Sequence, residues 1–273
     1  MSLRARFWGV RGSIPTPQLE NLKFGGNTAC LEISTARERV IFDAGSGIRA
    51  LGQCMMKEAG GGPIETRIFL THFHWDHIQG IPFFAPIYMS KNHISFFSGT
   101  TGPPLEETLE GQMAKPYFPI DFSQVAAQRD FHQIEGGESV RTSDLIISPF
   151  ALNHPQGASG YRIEAGGAVI VYATDYEHGD AKLDKVLRDY AANADLLICD
   201  AQYTPEEYET HRGWGHSTWV NAVAVAKDAK AKQLVLFHHD PIHDDDFMAG
   251  MVRQARERFP NLEAAWEGLT VQF

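Results

Sequence analysis

Short apolar runs separated by Gly and Pro clusters set the rhythm of this chain. Runs this short, enriched in branched and aromatic residues, predict strands. They fall at Arg4–Val10, Ala29–Ser34, Val40–Asp43, Arg67–Thr71, Ile94–Ser98, Leu145–Leu152, Tyr161–Glu164, Val169–Thr174, Leu196–Asp200, Leu234–His238 and Leu269–Phe273. Ala165-Gly166-Gly167, between two such runs, predicts a hairpin turn. Helical patterns cover Gly47–Ala59, Leu105–Met113, Ala181–Ala192, Thr218–Ala229 and Asp245–Arg258. In the last three, apolar residues recur at spacings of three and four, as in Val220, Val223 and Ala224. The first half is strand-rich and the second alternates strand with helix. That order predicts an α/β protein with two sheets packed on each other and helices outside. No linker, low-complexity run or tandem repeat interrupts it, so residues 1–273 read as a single domain.

The unusual polar residues sit where apolar runs stop. His72 follows IFLT, His154 follows ISPFALN, Asp175 follows VIVYAT, and Asp200 and His238 close LLICD and LVLFH. Loops at strand ends are where a rigid scaffold presents chemistry. Residues 71–77 read Thr-His-Phe-His-Trp-Asp-His. His72 and His74 alternate, so an extended segment points both imidazoles one way. Asp76 and His77 follow where the chain should turn into a helix, aimed at a neighbouring point. One loop can thus offer two ligands to each of two metal ions; the plain alternative is a metal-free surface histidine cluster. Further ligands are needed, and His154, Asp175 and either His238 or His239 are the candidates at other strand ends. Imidazole with carboxylate suits borderline divalent ions: zinc first, manganese or iron as alternatives.

Charge narrows the choice of partner. Lys and Arg number 24 against 34 Asp and Glu, a net charge of −10 with histidine neutral. Such a field does not favour long nucleic acids or acidic membranes. An anionic substrate then needs a local positive site, which a metal supplies. Cys30, Cys54 and Cys199 are scattered, with no CxxC pair, as in a reducing cytosol. The opening segment lacks the apolar stretch of a secretory signal, and no run approaches ~18 consecutive apolar residues. A cytoplasmic protein without a membrane span is expected.

H-x-H-x-D-H followed by His, Asp and a late strand-end His resembles the metallo-β-lactamase superfamily, over nearly the whole chain. IFDAGSG (Ile41–Gly47) is similar to that superfamily too. The resemblance implies a four-layer αβ/βα sandwich and a dinuclear metal-dependent hydrolase. Carried over residue by residue, it implies that His72, His74 and His154 hold one ion, that Asp76, His77 and His238 hold the second, and that Asp175 bridges them. It favours His238 over His239, because the family's ligand follows directly on its strand.

Asp200-Ala-Gln-Tyr and Gly215-His216-Ser217-Thr218 resemble motifs of the ribonuclease Z and phosphoribosyl cyclic phosphodiesterase branch. There an acidic residue orients a histidine that serves the leaving group, which implies those roles for Asp200 and His216. Ribonuclease Z typically carries Glu where this chain has Asp200, one methylene longer. The plainer alternative makes His216 part of a helix start capped by Ser217 or Thr218. The implied reaction is hydrolysis of a small or cyclic phosphodiester. In that reaction the metals would supply a nucleophile from water and offset charge at phosphorus, and His216 would protonate the leaving oxygen. Asp76 counts with Asp200 and His216 among the catalytic residues as well as among the ligands. Ribonuclease Z's arm for gripping transfer RNA lies between the ligands matching His154 and Asp175, where only twenty residues intervene here. The expected partner is a small phosphodiester, with no long nucleic acid and no membrane, and with a homodimer by analogy to relatives. The competing readings are hydrolysis of a lactone, thioester or amide, and a metal-holding binding protein with little turnover.

Other residues take plain assignments. Trp75, Trp214 and Pro82-Phe83-Phe84 flank the site motifs, and core is the default over pocket wall or dimer surface. Arg11 is assigned to a surface or turn, Asp244–Asp246 to a helix N-terminus, and Cys199 to the core. His93, His132, His178, His211 and His243 receive no role.

Overall fold

The computed structural model describes residues 2–99, 103–134 and 137–273. Alternation along the strands decides its layers. In β1 (Arg4–Gly9), β2 (Cys30–Ser34), β3 (Arg39–Phe42), β4 (Glu65–Leu70) and β5 (His93–Ser98), neighbouring residues serve two different cores. Phe7, Leu31, Phe42, Phe69 and Phe97 face a central core, whereas Cys30, Ile41, Ile68 and Phe96 face a helical layer. Period-two side-chain direction on sheets covered on both faces explains the near-continuous apolar runs.

The chain continues through β6 (Gln128–Gln133), β7 (Val140–Arg141), β8 (Ile146–Leu152), β9 (Ala158–Ala165), β10 (Ala168–Ala173), β11 (Leu196–Asp200), β12 (Leu234–Phe237), β13 (Leu262–Ala264) and β14 (Thr270–Gln272). Two seven-stranded sheets result, ordered β14-β1-β2-β3-β4-β5-β6 and β13-β12-β11-β10-β9-β8-β7. Ile163, Tyr172, Ile198 and Phe237 of the second sheet close the central core. Helices α1 (Ile48–Ala59) and α3 (Leu105–Gln112) cover the first sheet through Leu51, Met55 and Leu109. Helices α4 (Ala181–Ala191), α6 (Trp219–Asp228) and α7 (Asp245–Arg258) cover the second through Leu187, Val223 and Met251. The layering is that of the expected αβ/βα sandwich.

Strand direction then places the chemistry. β10, β11 and β12 are parallel, and β9 runs antiparallel to both β8 and β10, so β8, β10, β11 and β12 point one way. Their C-terminal ends deliver His154, Asp175, Asp200 and His238 to one rim of the sandwich. The Gly166–Gly167 turn joins β9 to β10 as a two-residue hairpin, with Ala165 paired to Ala168 and φ of 58° and 88° at the glycines. Positive φ at both central positions is what the tight right-twisted hairpin needs.

Several elements escape the sequence pattern. β6 (QRDFHQ) is a polar edge strand whose residues are half-buried or exposed, so alternation is faint. β7 and β13 are too short to show a period, whereas helix α2 (Trp75–Ile78) lies at the turn into a helix expected at Asp76 and His77. Helix α5 (Pro205–His211) is also short, yet its capping box is written in the chain: Thr204 and Glu207 each accept the other's backbone N–H. Arg11 is a correction. It is fully buried, its Nε donating to Gly25 O and its Nη1 to Asp240 O and His243 O. Burial lowers its pKa below the usual arginine value, only partly offset by the charges of Asp245, Asp240, Glu267 and Asp244. Asp244 caps α7 by accepting the Phe247 N–H, as expected. Among the described residues, no helix is long and apolar enough to cross a membrane.

Candidate metal centre

His72 and His74 lie on the extended segment between β4 and α2, and His74 sits at the cap position of α2 (φ −62°, ψ 151°). His154 joins them from the turn after β8. His74 Nδ1 is 3.1 Å from His154 Nε2, and the His72 and His154 rings are 4.7 Å apart. Asp76, His77, Asp175 and His238 form the neighbouring group. His77 Nε2 lies 3.3 Å from Asp76 Oδ2 and 3.1 Å from Asp175 Oδ2. His238 Nε2 lies 3.1 Å from Asp76 Oδ2 and 3.4 Å from Asp175 Oδ2. The second Asp175 oxygen faces the first group, 3.6 Å from His72 Nε2 and 3.9 Å from His154 Nε2. Within each group the donor atoms lie within 4.8 Å of one another. One carboxylate thus addresses both groups, one oxygen to each.

The imidazoles are held as ligands need to be. His72 Nδ1 meets Thr71 Oγ1 at 3.0 Å, His74 Nε2 meets Gln156 Oε1 at 3.1 Å, and His77 Nδ1 meets Asp43 Oδ2 at 2.9 Å. His154 Nδ1 meets Gly215 O at 2.9 Å, and His238 Nδ1 meets Gln202 Oε1 at 2.9 Å. With one nitrogen of each ring occupied outside, the other is left for the centre, the arrangement that orients metal-binding histidines. His72 Nε2 is buried without any hydrogen-bond partner, so a ligand is what satisfies it. Asp43, Asp175 and His238 adopt positive φ of 60°, 55° and 61°. Such backbone strain in non-glycine residues clusters at functional sites.

Electrostatics divides the two groups. Burial, reinforced by His77, holds His72 well below the usual histidine range, and burial also lowers His154. Their lone pairs are free for a metal. For His77 and His238 burial again opposes charge, but Asp175 and Asp76 outweigh it; His77 is raised well above its ordinary value and His238 to about 9. Burial works against charge on Asp76 and Asp175 as well, and the adjoining His77 and His238 hold both well below the usual carboxylate range. The donor set suits two divalent ions, which would displace the protons of His77 and His238.

The resemblance at Asp200 and His216 has a geometric counterpart. His216 Nδ1 is 2.8 Å from Asp200 Oδ2, so the aspartate arm is long enough. Asp200 Oδ1 accepts the Ser217 N–H (2.9 Å) and Oδ2 accepts the Asp175 N–H (3.2 Å). The His216 ring stacks on His238 at 4.8 Å and stands 5.4 Å from His154. Thr218, one of the two expected cap residues, caps α6 by accepting the Asn221 N–H, and His216 lies two residues before it, outside the helix.

The matching family model is the Beta-lactamase superfamily domain, over residues 38–239. The chain belongs to the metallo-β-lactamase superfamily. Family and donor set together make it a metal-dependent hydrolase. It is 26% identical to the ribonuclease Z of Haloferax volcanii over 312 aligned positions, covering 94% of this chain and 90% of the relative. Its fold is similar to that of the metallo-beta-lactamase fold protein YhfI from Bacillus subtilis (TM-score 0.73, 18% identity, 100% and 99% of the two chains). A diphosphatase from the PhnP family is similar to the same degree (TM-score 0.73, 19% identity, 100% and 98%).

Within this metallo-β-lactamase fold the seven candidate ligands, Asp200 and His216 reach the rim. His239 does not: it lies on the other side of the chain, buried, its Nε2 donating to Ala265 O at 2.8 Å, and burial lowers it to about 3. The flanking aromatics correct the core assignment. Trp75, Trp214 and Phe83 are 77%, 61% and 58% exposed, and only Phe84 is core. Asp76 and His77 turn inward on α2, which leaves Trp75, the preceding position, facing out. Asp43, Gln156, Gln202 and Glu177 were not singled out by the pattern. Asp43 was legible inside IFDAGSG and Gln202 inside DAQY; Gln156 and Glu177 carry no signal of their own.

Proposed function

We propose that this chain, as one hydrolase domain, is a phosphodiesterase acting on a small or cyclic phosphodiester. In this reading His72, His74 and His154 hold one divalent ion and Asp76, His77 and His238 the other, with Asp175 between them and zinc as the resident metal. When bound, the pair supplies Lewis acidity to the phosphoryl oxygens and lowers the pKa of water. The observation that carries the reading is the 2.8 Å Asp200–His216 contact beside both donor groups. A nonligating histidine oriented by a buried carboxylate can hold a proton at Nε2 and deliver it to a departing alkoxide, worth typically ~10²–10⁴-fold. Asp200 fixes the tautomer by taking the Nδ1–H, and its remaining oxygen is occupied by backbone N–H groups. The names of the similar proteins, a ribonuclease Z and a diphosphatase, support phosphorus chemistry.

A small substrate is favoured over RNA by the chain between His154 and Asp175. The β9–β10 hairpin occupies it as two inner strands of the sheet, leaving no projecting arm there. The net charge of −10 also gives no general attraction for a polyanion. The deciding experiment compares bis(p-nitrophenyl) phosphate with a thioester and a lactone, using metal-replete protein. Turnover of the phosphodiester at least about a hundredfold above the others is expected. Preferred turnover of thioester or lactone would overturn the proposal.

A further inference from the structure

The loop that carries His216 has little regular structure to hold it. Between the end of α5 at His211 and the cap of α6 at Thr218, Gly213 and Gly215 adopt left-handed backbone, with φ of 83° and 91°. Such a segment owes its position to contacts outside itself. Glu177 supplies those at Gly213 and Gly215, beside the Asp200 contact to the Ser217 N–H and the His154 contact to Gly215 O. The Glu177 side chain is buried beside the loop, in a residue only 8% exposed. Oε1 accepts the Gly213 N–H at 2.7 Å and the Tyr208 hydroxyl at 2.8 Å, and Oε2 accepts the Gly215 N–H at 2.8 Å. One carboxylate therefore grips the loop on both sides of Trp214 and ties it to α5.

The backbone of the same residue is anchored in the metal centre. Glu177 N–H donates to Asn153 O, and Asn153 Nδ2 donates back to Glu177 O, both at 2.8 Å. Asn153 precedes His154, and Asp175 lies two residues before Glu177. The next residue, His178, donates its N–H to Ser217 Oγ at 3.1 Å, just beyond His216. Glu177 is thus a fixed point of the donor groups from which the His216 loop is hung.

We propose that Glu177 is a positioning residue for His216, setting the distance between its imidazole and the leaving oxygen. The inference rests on the reading of His216 as proton donor. Asp200 holds the ring and the Ser217 N–H on its C-terminal side, and Glu177 holds the backbone on its N-terminal side at Gly213 and Gly215, so the ring's distance from the substrate follows both. The loss of such a contact matters because a displacement of about 1 Å can cost ~10²-fold in rate. Glutamine has the shape but not the bonding pattern: one oxygen remains for three donors, and its NH₂ confronts a backbone N–H.

The test measures kcat, KM and bound metal for Glu177→Gln and His216→Ala on two phosphodiesters, one with an alkoxide and one with a p-nitrophenolate leaving group. For Glu177→Gln, kcat should fall about ten- to hundredfold on the alkoxide substrate and less than about threefold on p-nitrophenolate. KM and metal content should stay at wild-type values. In the Glu177→Gln/His216→Ala double variant the loss should not exceed that of His216→Ala alone, as for two residues acting through one step. Tyr208→Phe, which removes one donor only, should show the same pattern more weakly, and it carries the test if Glu177→Gln does not fold. Equal losses on both substrates, loss of metal, or unchanged kcat would overturn the Glu177 inference while a leaving-group-dependent His216→Ala upholds the proton donor. If His216→Ala itself loses equally on both, the proton-donor reading falls, and the Glu177 inference with it.

Discussion

One backbone angle separates His238 from His239. β12 ends at Phe237, and the positive φ of 61° at His238 swings its imidazole into the donor group while His239 packs toward Ala265. His238→Ala should therefore remove about one of two bound ions and abolish turnover. His239→Ala should keep both ions and cost about 1–3 kcal/mol of stability through a lost buried hydrogen bond and a cavity. Elemental analysis and thermal melts of the two variants check this, and metal loss in His239→Ala would reverse the assignment. Asp175→Ala should lose most bound metal, because its two oxygens face different donor groups. At this scale the candidate ligands were legible because His and Asp bunched at strand ends offer metal-binding donors that apolar strand residues do not. Of the residues behind them, Asp43 and Gln202 lie inside recognisable motifs, whereas Thr71, Gln156 and Gly215 left no signal, because a hydroxyl, an amide and a backbone carbonyl all serve equally as acceptors.

At the scale of elements, the site depends on close approach between segments far apart in the chain. The turn after β1 passes so near His238 that a Cβ at Gly12 would lie 2.3 Å from its ring. Gly12→Ala should displace His238 and weaken one ion by about 10–100-fold, read by metal titration against a competing chelator. Wild-type affinity would show that the loop yields without moving the ligand. Thr218→Ala removes only the α6 cap and should cost about 1 kcal/mol with activity nearly intact. Strands buried on both faces were readable as apolar runs, and the long helices by their spacing. The polar edge strand β6 and the extents of the short α2 and α5 were not, since their residues are placed by neighbours rather than by a buried face of their own.

Over the whole molecule, the metal centre links stability, protons and metal. In metal-free protein His238 is raised to about 9, so its stabilising contribution is full below an unfolded value of about 6.5 and is lost as pH rises through about 9. Asp76 and Asp175 are depressed, so theirs is present above about 4 and fades as pH falls further. The lowered His72, His154 and His239 act in the opposite sense and cost stability as pH falls below about 6.5, so metal-free protein should melt highest near pH 6.5. Metal binding at neutral pH should release protons and tighten as pH rises toward 9. Calorimetry in buffers of different ionisation heat measures that release, and a proton count of zero at pH 7 would contradict the assigned charges. The sequence by itself determined the family, the layered α/β architecture and the residues with ligand chemistry, because apolar periodicity and the H-x-H-x-D-H spacing are local properties. Only the tertiary structure decided which oxygen of Asp175 faces which group, that Arg11 is a buried strut, and that Glu177 holds the His216 loop. Each of those depends on atoms brought together from distant parts of the chain, and hydrogen-bond partners across such distances leave no periodic trace in a single sequence.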